Sequence, residues 1–258
     1  MRFGEQDRNF FETFGFLKVP GGIKNELGTV NNEFPQVFID RDVVHRGTER
    51  TMVLGFIARR EGLSRLLEHP VVEDLLECLL GPGANYIGSD GNYYTGDTKW
   101  HADGYHKNGL FIKVAFYLDP VDGESGALRV IPGSHRLTHP EWAARRAAAS
   151  EELWNVPGDL VPATVLSSEP GDLLVFNHNL MHSSWGGSDK RRMFTINLCK
   201  HCTSPEEFDE LKKYLADRER DWEDLTEFDV IRASPNRARR LDQVLDVRAL
   251  LWPELNRA

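Results

Sequence analysis

The sequence predicts a mainly β core flanked by helices at both ends. Two features carry that prediction. From about residue 86 to 202 the chain runs through "FIKVAFYLDP", "GALRVIPGS", "PATVLSSEPGDLLVFNHNLMHSSW" and "RRMFTINLCKH". These short apolar or alternating runs are rich in Val, Ile, Phe and Tyr and punctuated by Gly, Pro, Asp and Ser, the texture of an antiparallel sandwich or barrel. On either side of them, apolar residues recur at helical spacing.

Residues 1 to about 85 read as mainly helical. In "HPVVEDLLECLLGPG", Pro70 stands at a first helical position, Val72, Leu75, Leu76 and Leu79 are the apolar positions, and Gly81 is the stop. Inside the β region, "LTHPEWAARRAAASEELW" reads as a short helical insertion. From about 203 to 258 helices return. Ser204-Pro205-Glu206-Glu207 is a capping box with proline at the first helical position. Phe208, Leu211, Leu215 and Trp222 follow on one face. Ser234-Pro235 starts a second helix, with Leu241, Val244, Leu245 and Leu251 on its buried side. The charged residues between them read as a solvated face. No repeat or Pro/Gly linker divides the chain, so one domain over 1–258 is expected.

The net charge of -9, from 31 basic and 40 acidic residues, argues against nucleic acid or an anionic membrane as the main partner, because both demand basic patches. No apolar run reaches the roughly 18 residues of a membrane span. "MRFGEQDRNFFETF" lacks the continuous apolar core of a signal peptide, so a cytoplasmic protein is expected. Cys78, Cys199 and Cys202 are too few and too odd in number for a disulfide framework. Cys199-x-x-Cys202 lacks the second pair that a zinc knuckle needs and reads as structural. The oligomeric state has no signal.

The chemistry begins at "KWHADGY". In a strand, residues i and i+2 point to one side, so a strand running through Asp103 would aim His101 and Asp103 at the same interior. With one more histidine they would form the 2-His-1-carboxylate triad of non-haem Fe(II) oxygenases, which leaves positions open. "GDLLVFNHNLMHSSW" offers His178 and His182 at equal parity, after a turn at Gly171-Asp172. Small residues follow His182, and then Arg191 and Arg192 head a strand that would neighbour the first in a hairpin. A buried arginine near the metal suits a dicarboxylate co-substrate, because its planar fork binds a carboxylate bidentately.

"WHADGY", "YLDPVDGESGALRVIPGSHR", "GDLLVFNHNLMHSS" and "RRMFTINLC" occur in that order. Together they resemble the phytanoyl-CoA dioxygenase family over residues 85 to 200, and "ETFGFLKVPGGI" is similar to that family's opening strand. The resemblance implies a double-stranded β-helix, or cupin-like jelly roll, holding Fe(II) and 2-oxoglutarate. It implies His101, Asp103 and His182 as metal ligands, Arg191 on the distal carboxylate of 2-oxoglutarate, and Ser184 near that carboxylate. Asn92 and Tyr94 fall where the family places polar groups near 2-oxoglutarate, Tyr94 where lysine is common. Lys113, a charge inside an apolar run, either faces the cavity or snorkels outward. The link "SSWGGSDK" is shorter than is usual and lacks the family's asparagine, so Arg192 stays an alternative to Arg191. "IPGSH" reads as a structural turn rather than a ligand source, and Trp100 and Trp185 as walls. His106 is the remaining histidine closest in sequence to the metal loop.

The expected activity is hydroxylation of a small molecule with O2, releasing succinate and CO2. Three rivals accompany it: a halogenase of the same fold, a zinc hydrolase, and a non-catalytic cupin-like sensor. A halogenase of this fold has glycine or alanine in the place of Asp103.

Overall fold

Ten strands form two antiparallel sheets among the residues that the computed structural model describes, 2–136, 140–188, 191–217 and 227–252. In chain order they are β1 (Phe16–Val19), β2 (Thr51–Leu54), β3 (Asn85–Tyr94), β4 (Thr98–His101) and β5 (Phe111–Tyr117). There follow β6 (Leu128–Val130), β7 (Thr164–Leu166), β8 (Leu173–Asn177), β9 (His182–Ser184) and β10 (Arg191–Cys199). The larger sheet has the order β1-β8-β5-β10-β3-β2 and the smaller the order β4-β9-β6-β7. The two face each other as a jelly roll.

Period-two alternation sets what each face does. Along β10, Arg191, Met193 and Thr195 line the space between the sheets. Phe194, Ile196 and Leu198 point the other way, into the main hydrophobic cluster. The helix Leu27–Asp40 supplies Phe34 and Phe38 to that cluster, and the turn after β2 supplies Phe56. Phe56 lies 5.7 Å from Phe194, whose ring stacks on Phe116 of β5 at 4.5 Å. Each such buried side chain contributes about 1.5–3 kcal/mol. Between the sheets a smaller cluster, including Tyr117, Phe176 and Met193 opposite Leu128, Val130 and Leu166, closes one side of the sandwich. Because the larger sheet is covered on both faces, its strands read as apolar runs and not as a clean alternation.

The first 85 residues are mainly helical, as expected, but they also supply β1 and β2, the two edges of the larger sheet. The helix Pro70–Leu80 has proline at its start and Gly81 at its end, and buries Val72, Leu75, Leu76 and Leu79. The insertion forms helices Pro140–Ala148 and Ser150–Trp154, and Ala147 packs with Trp100 and Met181 behind β4 and β9.

At the other end, Ser204 Oγ accepts from Glu207 N at 3.3 Å and caps the helix Pro205–Ala216. The Glu207 carboxylate reaches one residue further back, to Thr203 N at 2.7 Å. The helix expected from Ser234 is broken into Pro235–Ala238 and Asp242–Leu251, with Leu241 buried at the joint. Helix Glu227–Arg232 buries Phe228 and Ile231, and Trp222 lies outside the described residues. These helices join the main cluster through Leu211, Leu215, Phe228, Ile231 and Val244.

One expectation fails here. The basic residues of this region are not all on a solvated face: Arg237, Arg240 and Arg248 are buried. Arg237 Nη2 donates to Glu61 Oε1 at 2.9 Å, and its Nε lies 3.4 Å from Glu68. Glu61 is 176 positions away in the sequence, so no local charge pattern could show the pairing. Among the described residues no helix is long and apolar enough to cross a membrane.

Removing one partner of a buried ion pair leaves the other uncompensated, at about 3–5 kcal/mol. The double variant Glu61→Ala, Glu68→Ala strands the Arg237 guanidinium and is expected to lose about that much in urea unfolding. Arg237→Met leaves two carboxylates that can hydrate, and is expected to lose clearly less.

Candidate active site

Two strand ends and one bend assemble the site. His101 closes β4 and pairs across the smaller sheet with His182, the first residue of β9. Asp103 does not lie on that strand. The strand stops at His101, and Asp103 enters from the bend that follows. Backbone bonds fix the bend: Gly104 N donates to His178 O at 3.1 Å, and His106 N donates to Asn179 Oδ1 at 2.8 Å. His178 and His182 do not share a strand either. β8 ends at Asn177, a turn closed by Leu180 N on Asn177 O follows, and the chain crosses to the other sheet. His178 is thereby buried beside His106, Phe111 and Tyr214.

One ligand atom each from His101, Asp103 and His182 lie within 4.8 Å of one another. Nδ1 of His101 bonds Lys99 O at 2.8 Å, and Nδ1 of His182 bonds Leu180 O at 2.9 Å. A carbonyl can only accept, so each Nδ1 carries the proton and each Nε2 keeps its lone pair for a metal. Asp103 Oδ1 accepts from Lys113 Nζ at 2.9 Å. Asp103 Oδ2 is buried and accepts no hydrogen bond among the described residues; His182 Nε2 stands 3.8 Å from it.

The electrostatics fit the same use. Burial works to raise the pKa of Asp103. The Lys113 ammonium and then the His182, His178 and His101 imidazoles overcome it and hold the carboxyl well below the usual carboxylate range. Burial pushes His182 down to about 4, against the pull of Asp103, so its ring is neutral at pH 7. An ionised carboxylate and a neutral imidazole are the forms that bind metal.

From the triad a cavity of about 300 Å³ runs between the sheets to Arg191. Arg191 is 2% exposed, and its Nε and Nη1 have no hydrogen-bond partner among the described residues. Its Nη1 passes between two glycines: a Cβ on Gly126 would lie 1.5 Å from it, and one on Gly187 2.4 Å. Ser184 Oγ donates to Gly126 O at 2.8 Å, which ties β9 to this passage. The Tyr94 ring lies 5.1 Å from the Arg191 guanidinium. Burial pushes the Tyr94 and Tyr117 hydroxyls up to about 12, so both stay protonated.

Arg192 faces the other way. It is held by Asp119, with Nη2 on Oδ1 at 2.7 Å, and its Nη1 reaches Asn31 at 3.2 Å. The parity of β10 thus separates the two arginines. That strand is not a hairpin partner of β9; it lies between β3 and β5 in the facing sheet. Lys113 faces inward, but toward Asp103. Asn92 does not line the cavity: its Oδ1 accepts from Arg50 at 2.8 Å, and its Nδ2 donates to Asp90 at 2.5 Å. His106 bonds Glu210 at 3.2 Å, and His135 bonds Glu12 O at 3.1 Å. Trp100 and Trp185 pack outside the cavity with Met181. Arg50, Asp90 and Tyr117 line the cavity and are not singled out by the sequence, whereas Met193 and Thr195 take the inward positions that the family resemblance implies for the neighbours of Arg191. For Asp90 the signal was available: it shares the parity of Asn92 and Tyr94.

Residues 12–194 match the phytanoyl-CoA dioxygenase family. The chain belongs to that family. Membership makes it an Fe(II)- and 2-oxoglutarate-dependent oxygenase, and the His101–Asp103–His182 cluster offers the set of donors that could hold a metal ion in such an enzyme. Among solved structures, HygX from Streptomyces hygroscopicus with iron bound is 16% identical, with a TM-score of 0.62, 79% of this chain and 89% of that one being covered. EctD from S. alaskensis with 2-oxoglutarate and 5-hydroxyectoine is 20% identical, with a TM-score of 0.59 and coverage of 77% and 76%. The epimerase SnoN in complex with Fe3+, alpha ketoglutarate and nogalamycin RO is 20% identical, with a TM-score of 0.61 and coverage of 76% and 83%. At these identities the likeness establishes the shared fold. No curated protein sequence matches.

Gly126 has φ +90°, so alanine there adds backbone strain to the collision with Arg191. Gly126→Ala is expected to lower unfolding free energy by about 1–3 kcal/mol and to expel the guanidinium from its passage. Denaturant unfolding and a crystal structure of the variant check both; an unmoved Arg191 would refute the fit described.

Proposed function

We propose that the protein hydroxylates a small molecule in the cytoplasm, with its whole length acting as one unit. The observation that carries the reading is the buried, unpartnered Arg191 in the cavity that the triad opens into. A cation in that position calls for an anion. In β9, Ser184 follows His182 by two residues, roughly 7 Å of strand, and Ser184 is tied to the Arg191 passage. That is about the span of a five-carbon diacid.

His101, Asp103 and His182 would hold Fe(II), which with 2-oxoglutarate and O2 would supply oxidation of an unactivated C–H bond coupled to release of succinate and CO2. Lys113 engages Oδ1 of Asp103 and so presents the other oxygen, Oδ2, to the metal. Arg191 receives the distal carboxylate. Ser184 and Gly126 shape its seat, and Tyr94 and Tyr117 keep O–H donors there at neutral pH. Asn92 lies one step back from the cavity, where its Nδ2 holds Asp90. The apolar wall of Ala115, Leu128, Phe176 and Met193 limits water between the two ends.

Hydroxylation is favoured over halogenation because Asp103 fills the position that a halide would need. A second anion there would have to displace a buried, ion-paired carboxylate. The same fold serves an epimerase, so the outcome of oxidation depends on the substrate. A metabolite screen read by succinate release, with product mass from the hits, tests the assignment; epimerised or cyclised product without an added oxygen would replace hydroxylase by another oxidative outcome.

Arg191→Met is expected to weaken 2-oxoglutarate by about 2–5 kcal/mol while metal binding survives. Arg192→Met should leave the 2-oxoglutarate Kd within about threefold. Calorimetric titration on the Mn(II)-loaded protein measures both, and the reverse order would exchange the two arginines. In chloride-rich buffer the wild type should yield no product with a chlorine isotope pattern.

A further inference from the structure

The cavity holds a second arginine that the oxygenase reading leaves without a task. β2 is the edge of the larger sheet and β4 the edge of the smaller. The cavity is lined from both: by Arg50, Met52 and Leu54 on one side, and by Thr98 and His101 on the other. It therefore opens between these edges, with His101 on the opening. The Arg50 side chain is 41% exposed and Met52 is 43% exposed, so they form its outer lip.

An arginine at a lip is ordinarily mobile, and fixing it costs about 2 kcal/mol of rotamer entropy. Arg50 is already fixed. Its Nε donates to Asn92 Oδ1 at 2.8 Å, and its Nη2 reaches Met52 Sδ at 3.3 Å and lies 3.6 Å from Asp90 Oδ1. Its guanidinium lies over the Tyr94 ring at 4.3 Å. Asp90 is in turn held by Asn92 Nδ2 at 2.5 Å and by Thr195 Oγ1. These contacts use Nε and Nη2. Nη1 makes no hydrogen bond among the described residues.

A pre-ordered guanidinium with an open donor edge binds an oxyanion through charge-assisted hydrogen bonds at little further entropic cost. Asp90 does not offer the mirror-image site for an amine, because Asn92, Thr195 and Arg50 already occupy its oxygens. Arg191, buried and unpaired, takes the diacid, which leaves Arg50 for a different molecule.

The geometry points to Arg50 as the anchor for an anionic group, carboxylate or phosphate, on the substrate to be oxidised. The apolar body of that substrate lies along Met52 and Leu54, toward His101. This specificity rests on the oxygenase reading above.

The test uses the full chain loaded with Mn(II) and saturated with N-oxalylglycine, a 2-oxoglutarate mimic that fills the diacid site. Hexanoate, hexyl phosphate, hexanol and hexylamine are titrated in turn, and enhancement of their proton relaxation by Mn(II) reports binding near the metal. At least one of the two anions is expected to bind about tenfold or more tighter than hexanol and hexylamine, and the tighter anion identifies the group. Arg50→Met should abolish that preference and Arg50→Lys retain part of it, with N-oxalylglycine affinity changed by less than about threefold in each. Equal relaxation of hexanol or hexylamine, no relaxation of either anion, or an unchanged preference in Arg50→Met overturns the proposal alone. If the methylene protons of N-oxalylglycine are themselves not relaxed, the oxygenase reading falls and the proposal falls with it.

Discussion

Charge matching inside a β-sandwich governs this molecule. A buried ion costs several kcal/mol unless it is paired. The two carboxylates that line the cavity are paired within the chain: Asp103 by Lys113, and Asp90 by Arg50 with help from Asn92 and Thr195. Arg191 has no such partner among the described residues. The protein thus carries a cost that a diacid bound at Arg191, as proposed, would remove, and binding that selects the folded state stabilises it by mass action. The glycines at 126 and 187 show how closely the position of that cation is set, since neither has room for a single added carbon.

The fold was legible where burial leaves a local pattern. Pro70 and Gly81 bracket a helix because proline suits its first turn and glycine its exit, and both signals sit in adjacent sequence. The β region was legible as a class but not as a set of boundaries. β10 is buried on both faces, so its inward Arg191, Met193 and Thr195 are separated from its outward Phe194 and Ile196 by parity. Partners remote in sequence were not legible. Arg237 looks like a surface residue until Glu61 and Glu68 are brought to it, and β2 carries too few residues to declare itself.

At the site, order and residue type were enough to single out His101, Asp103 and His182, which the structure brings together, although part of the expected geometry differs. Period two puts His101 and Asp103 on one side of a strand, whereas in the structure a bend delivers Asp103. The equal parity of His178 and His182 was no ambiguity in the structure, because the turn at Asn177–Leu180 places them on different sheets. Lys113 was visible as an odd charge in an apolar run. Its partner was not, since the Lys113–Asp103 bond depends on how β5 lies under the bend.

The two ends of the cavity are built from different material, and that difference bears on function. The ends at the triad and at Arg191 use strands locked on both sides by neighbours, such as β9 between β4 and β6 and β10 between β3 and β5. The open end uses β2, a four-residue edge strand with a neighbour on one side only, and the segment leading into it. Surface segments tolerate change more readily than strands paired on both sides. A sandwich arranged in this way can keep its oxidising chemistry while the lip is rebuilt. Here the lip presents a fixed guanidinium above apolar side chains, so on the proposal made for Arg50 the choice of substrate would rest on residues 50 to 54 and on the Asp90–Asn92 pair that holds Arg50.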